Sequence, residues 1–223
     1  MKKYKYKAGV TLVEMLVTVS IIAILATMVI AIATRVDNQG KEQLTRGTFA
    51  IIDTALEQFK DHRYPYYGQY YRFDFPLDCN GYSRDEVRAT LKDALNASDV
   101  QIPVSIENYD LNYSGISVMH LLLSQLTECK KTLEKIDKSL VTNEYSGGSL
   151  NVSIAIGDTT SFPFYRIVDP WKTPLMYDYY NENLHPTTPT GFDNMKNSRK
   201  NFPVLISAGP DRRFGTSDDI RSR

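Results

Sequence analysis

Residues 10–34 read VTLVEMLVTVSIIAILATMVIAIAT, apolar or small and neutral at every position except Glu14. At about 1.5 Å per residue, a helix of this length crosses the roughly 30 Å hydrocarbon core of a bilayer. Lys2, Lys3, Lys5 and Lys7 precede the stretch, and Arg35 follows it. Basic flanks stay in the cytoplasm, so this asymmetry predicts a single pass with a cytoplasmic N-terminus and the remainder outside. Apolar positions then recur at helical spacings through Val36, Leu44, Ile51, Ile52, Ala55, Leu56 and Phe59. Tyr64-Pro65 ends the run, because the residue before a proline is pushed out of the helical region. The pattern predicts one helix of about 50 residues, roughly 75 Å long, whose outer half packs under a globular head.

Ser83-Arg84-Asp85-Glu86 has the form of a capping box and predicts a short helix through Leu95. Met119, Leu122, Leu123, Leu126, Leu133, Ile136 and Leu140 share one face of a helix over about 117–140. After Gly147-Gly148 come strand-like segments at 150–156, 164–168, 175–179 and 204–207, with 169–174 as the turn between the second and third. The predicted fold class is α+β. A long N-terminal hydrophobic helix packs on a C-terminal globular head that holds a small antiparallel β-sheet and additional helices.

A cleaved secretory signal would use Ala31-Ile32-Ala33, but the apolar stretch before that triplet exceeds the usual 7–15 residues and carries a carboxylate. An ordinary membrane anchor leaves Glu14 unexplained, since a carboxylate inside a span costs about 2.5–3.5 kcal/mol even on insertion scales. Ala8-Gly9-Val10-Thr11-Leu12-Val13-Glu14-Met15-Leu16 closely resembles the processing motif of type IV prepilins. The resemblance implies that a prepilin peptidase cuts after Gly9 and methylates the new amino group of Val10, where phenylalanine is commoner. Glu14 lies one helical turn from Val10. In a staggered bundle, the Val10 amine of one subunit would meet the Glu14 carboxylate of its neighbour and set the register.

Composition narrows the remaining classes. Basic and acidic residues number 26 each, so no nucleic-acid partner is expected, and loss of a leader over residues 1–9 leaves 22 basic residues against 26 acidic. His62, His120 and His185 lie in unrelated contexts, and neither a phosphate loop nor a nucleophile with a histidine partner is evident. An enzyme is therefore not expected. Cys79 and Cys129 lack metal or redox spacing, and export of the head points to a disulfide between them, with two buried thiols as the alternative.

Asp169-Pro170-Trp171-Lys172-Thr173-Pro174 resembles the Asp-Pro-Trp-Gly-x-Pro stretch of major pseudopilins of type II secretion, with Lys172 where glycine is usual. The segment from Ser207 to Ile220 resembles the calcium loop that closes that family. This implies Asp211, Asp218 and Asp219 as side-chain ligands, with carbonyls of 205–207 and the loop completing an all-oxygen shell suited to calcium. On residue type alone the segment is equally an acidic turn in solvent, and Arg212 and Arg213 stand beside it.

The expected organisation is a leader at 1–9, a transmembrane and assembly helix at 10–62, and a periplasmic or extracellular head at 63–223. Within the head, 66–150 reads as a helical insertion and 150–223 as a β-rich region ending in the acidic loop. The function that the resemblance implies is a structural subunit of a type II secretion pseudopilus, first held in membrane lipid of the bacterial inner membrane. Its partners would be copies of itself, the prepilin peptidase, an inner-membrane assembly platform and minor pseudopilins. A type IV pilus subunit for adhesion, motility or DNA uptake is the alternative within that class, and a monomeric membrane-anchored binding protein the alternative outside it.

Overall fold

The structure, a computed structural model, describes residues 11–61, 75–76, 78–79, 83–102, 114–145, 148–156, 158–179 and 202–223. The chain divides into two compact units, Met1–Lys41 and Glu42–Arg223. Helix α1 covers Leu12–Asp61, as the continuous apolar periodicity predicts. In the first unit its large apolar side chains are exposed, with Leu12, Val29 and Ile32 at 81 %, 66 % and 64 %. This part of the helix is long and apolar enough to cross a membrane. Hydroxyls within it return to their own backbone: Thr18 Oγ1, Ser20 Oγ and Thr27 Oγ1 donate to the carbonyls of Met15, Leu16 and Ile24 at 2.8–2.9 Å. Such bonds make a hydroxyl tolerable where no water is available.

In the second unit α1 buries one face. Thr45, Thr48, Phe49, Ile52, Ala55, Leu56 and Phe59 recur at three- and four-residue spacings and are all buried. The expected stripe began too early, for Val36 and Leu44 remain exposed while Phe49 joins the core. Helix α2, Arg84–Ala94, starts with the predicted capping box: Ser83 Oγ accepts from the Glu86 amide at 3.4 Å and Glu86 Oε2 accepts from the Ser83 amide at 2.6 Å. It stops where Asn96 takes φ 46° and the Ala97 amide reaches back to the Lys92 carbonyl.

The expected helix over 117–140 is two helices and a turn. Helix α3 spans Ser114–Ser124, α4 spans Thr127–Leu133, and a 3₁₀ turn follows at Lys138–Leu140. At the break, Ser124 Oγ and Gln125 Nε2 both donate to the Leu121 carbonyl, while Leu126 is extended with ψ 124°. Side chains thus take over a carbonyl that a continued helix would have used. Helix α3 carries Ser117, His120 and Ser124 at three- and four-residue spacings, and its apolar side chains on either side of that stripe feed two clusters. Ile116, Met119 and Leu123 join α1 in the first; Val118, Leu121 and Leu122 join Val87 and Leu91 of α2 in the second.

The strands are β1 Asp99–Gln101, β2 Val141–Thr142, β3 Glu144–Tyr145, β4 Gly148–Ser149, β5 Asn151–Ile156, β6 Asp158–Pro163, β7 Arg166–Ile167, β8 Met176–Asp178, β9 Val204–Ser207 and β10 Ile220–Arg221. Instead of one small sheet, the described residues form two antiparallel three-stranded sheets, β1-β5-β6 and β10-β9-β8, and the two-stranded pairs β2-β7 and β3-β4. The 169–174 turn joins β7 to β8 as expected, yet the two strands belong to different ladders and touch only through the Val168–Pro174 bridge and the Leu175 amide bonded to the Ile167 carbonyl.

The cysteine pairing is also corrected. Cys79 and Cys129 form no disulfide and are buried, in separate clusters to which α3 contributes opposite faces. The Cys129 thiol donates to the Ala55 carbonyl at 3.3 Å, and burial pushes its pKa up to about 11. Compartment alone suggested a bridge; packing each sulfur into its own apolar cluster separates them. Because Leu56 is fully buried against α3 and α4 in the first cluster, Leu56→Ala should destabilise the head by about 2–5 kcal/mol. The check is urea unfolding followed by the fluorescence of Trp171, the single tryptophan and 6 % exposed.

Candidate functional site

At the start of α1, Thr11 and Glu14 form a reciprocal cap. Glu14 Oε2 accepts from the Thr11 amide at 2.9 Å and from Thr11 Oγ1 at 3.0 Å, and the Glu14 amide donates to Thr11 Oγ1 at 3.2 Å. Glu14 is therefore in the first turn, where free amides and the positive end of the helix dipole favour a carboxylate. The Thr-x-x-Glu spacing carries this signal, although the sequence pattern alone presents Glu14 as a charge in the span and a partner for Val10 rather than as a cap. Gly9 and Val10 lie outside the described residues.

The C-terminal acidic segment forms the loop between β9 and β10, closed by the Ser207–Ile220 pairing. Its carboxylates serve the loop's own donors. Asp218 Oδ2 accepts from the Asp211 amide at 3.0 Å and Oδ1 from Thr216 Oγ1 at 2.6 Å, bonds that hold its pKa below the usual carboxylate value. Asp211 Oδ1 accepts from the Arg213 amide at 2.8 Å, and Asp219 Oδ2 from the Gly215 amide at 2.9 Å. Asp219 differs from the other two: its side chain is 5 % exposed and Oδ1 is buried without a partner. Among the described residues, no three His, Cys, Asp or Glu side chains are gathered as a metal shell, so the three aspartates share a loop without converging.

The loop is fastened from below by Asp169, a role that sequence reasoning missed. This buried carboxylate accepts from the amides of Trp171 at 3.0 Å and Thr173 at 2.8 Å through Oδ1, and from Ser207 Oγ at 2.7 Å through Oδ2. Ser207 Oγ in turn accepts from the Gly209 amide at 3.2 Å. Burial raises the Asp169 pKa against the opposing pull of these hydrogen bonds. Aspartate at the first position of a turn was the available signal. Lys172, at the position where glycine is usual in the resembling family, has φ 70°, and its ammonium donates to the Ser139 carbonyl at 2.9 Å.

A family model, the prokaryotic N-terminal methylation motif, matches residues 4–30. The chain carries the pilin-type methylation motif. With the long apolar α1 behind it, this is the arrangement of a type IV pilin- or pseudopilin-like structural subunit, and the motif is common to both kinds. No curated protein and no solved structure matches the chain.

Two substitutions test how the pilin-like head holds its loop. Gly209 has φ 67°, and a methyl group there would run into the Asp218 carbonyl. Gly209→Ala should therefore destabilise the head by at least about 1 kcal/mol and increase amide exchange in the loop. Asp169→Ala strands two backbone amides and a hydroxyl, and should cost about 2 kcal/mol or more. Hydrogen exchange across 207–222 reads both; unchanged protection would mean that the loop does not rely on Asp169 or Gly209.

Proposed function

We propose that this chain is a pseudopilin of the type II secretion class, cut after Gly9, methylated at Val10 and polymerised through α1 into a periplasmic filament that supports protein secretion. The observation that carries the reading is the Thr11–Glu14 cap at the head of a helix whose large apolar side chains from Leu12 to Val36 are exposed. A lone membrane anchor would use that carboxylate only as a cap for α1, whereas a helical bundle could also use it to select one stagger. In the free chain Thr11 satisfies Glu14; in the bundle, the ammonium of a neighbouring Val10 would add to that pair. Desolvation offsets much of the attraction, so the pair contributes register more than stability. The resemblance of the 169–174 turn and of the C-terminal loop favours a pseudopilus over a type IV pilus, which is the second reading because the methylation motif serves both.

The C-terminal loop is proposed to take a calcium ion. The fitting feature is the buried Asp219 Oδ1, which has no hydrogen-bond donor although Arg221 stands 4.0 Å from Oδ2, since a carboxylate oxygen so placed could take a cation as its partner. Asp211 and Asp218 would have to leave their present hydrogen bonds to join it. That requirement and the adjacent arginines put the affinity near the weak end of extracellular sites, about 10⁻⁴–10⁻³ M.

Three outcomes are expected. Mass spectrometry of the mature protein from cells with an active prepilin peptidase should begin at methylated Val10; an intact Met1 start would reject the reading. Glu14→Val should leave membrane insertion intact and abolish filaments, and wild-type filament yield from it would remove the register role. Calcium at ten times Kd should stabilise the detergent-solubilised chain by about 1.4 kcal/mol in a Trp171-monitored melt. A variant with Asp218→Ala and Asp219→Ala should lose that response, and identical melting of the wild type in calcium and in chelator would make the loop an ordinary acidic turn.

A further inference from the structure

The hairpin of β5 and β6 pairs in continuous register from Asn151–Pro163 to Ile156–Asp158. Towards its end the strands leave the core, for Asp158, Thr159, Thr160 and Ser161 are all exposed. Ile156 is 53 % exposed, and in the Glu42–Arg223 unit the other large apolar side chain so placed among the described residues is Leu44. The hairpin thus presents an isoleucine and, across the ladder, a carboxylate, with only small polar side chains behind them.

The same unit contains a cleft of about 920 Å³ with the complementary character. Leu121, Leu133, Ile136, Val141 and Phe162 supply apolar lining, and Lys130 and Lys138 stand in its wall against a single carboxylate, Glu134. Neither lysine is in an ion pair among the described residues. The His120 ring meets Tyr165 edge-on at 5.5 Å, and burial lowers its pKa to about 4, so this wall adds no charge. Its volume is within the range of sites that enclose a ligand-sized group.

A hairpin cannot fill the cleft of its own chain. Phe162 and Pro163, at the base of β6, line the cleft, while Asp158 is at the far end of the strand, about 17 Å away at 3.4 Å per residue. We propose that the cleft receives the β5–β6 hairpin of a second copy of this chain, with Ile156 on the apolar lining and Asp158 between Lys130 and Lys138. Knob and cleft are different surfaces, so the contact is head-to-tail, the kind that builds a filament when its rotation does not close a ring. The inference deepens the filament-subunit reading by naming the contact between heads.

The test uses the full-length chain in cell membranes and a short bis-maleimide. The native thiols provide little background, since Cys79 and Cys129 are both 0 % exposed. A chain carrying Thr159→Cys and Glu134→Cys, which keep Ile156, Asp158 and both lysines, should give a ladder of cross-linked multimers, whereas either substitution alone, or Ser149→Cys with Glu134→Cys, should not. Adding Asp158→Lys should reduce the ladder about tenfold by placing like charges together, and a further Lys130→Asp should restore it. Absence of the ladder from the double-cysteine chain, or a ladder indifferent to Asp158→Lys, overturns the contact whether or not filaments form. Filaments without the ladder would leave the subunit reading standing, and a ladder without filaments would support the contact while counting against that reading.

Discussion

The apolar side chains of the eleven-residue α3 lie on two opposite sides of the helix, and both sides have to be enclosed. The outer part of α1, with α4 and the β7–β8 region, encloses it on one side; α2, β1 and β5 do so on the other. Enclosure of this kind makes the inserted region integral to the head. The second cluster is built from residues 79–164, and its contact with the α1 cluster runs through one helix that neither could leave exposed. It also accounts for the two buried thiols: each fills its own cluster, and a bridge would have to pass around α3.

How much of this was legible follows from where the signal resides. Helix α1 was readable because 25 consecutive positions admit no polar face, and α2 because Ser83 and Glu86 are a local device that needs no tertiary contact. The break between α3 and α4 was not, since Leu126 and Leu133 continue the same apolar stripe and only packing against Ala55 and Gln58 of α1 favours a change of direction. Strand β6, Asp-Thr-Thr-Ser-Phe-Pro, has no alternation to read because both its faces are exposed over four residues. Two-residue strands such as β10 lack any period at all. At the candidate sites, residue types were readable and their partners were not: the Asp169–Ser207 bond joins positions 38 apart, and nothing local announces it.

The acidic residues that matter here are distinguished by what reaches them. Glu14 and Glu86 do the same work at two helix starts, each bonded to the amide and hydroxyl three residues back. Asp218 is exposed, and its two bonds favour the charged form; Asp169 accepts three bonds and is still dominated by burial. The balance between desolvation and donors thus decides whether a carboxylate fixes backbone cheaply or demands a supporting network. Asp219 lies between these cases: Oδ2 accepts from the Gly215 amide and has the Arg221 guanidinium at 4.0 Å, while Oδ1 is buried without a hydrogen-bond donor.

A filament subunit has to solve two problems with different physics. Attraction between subunits comes from apolar helix surface, which is plentiful in α1 and almost indifferent to sliding, because one leucine or isoleucine packs nearly as well as the next. Register must come from groups that are costly when misplaced, and such groups need few positions. Glu14 is the sole acidic or basic side chain within 10–34, so in the proposed bundle a wrong stagger would leave a carboxylate facing hydrocarbon. A head contact made of one apolar side chain and one charge would follow the same rule: Ile156 supplies area, and Asp158 opposite two lysines rejects the alternatives. Neither interaction has to be strong, since their selectivity multiplies along a polymer in which each subunit repeats both.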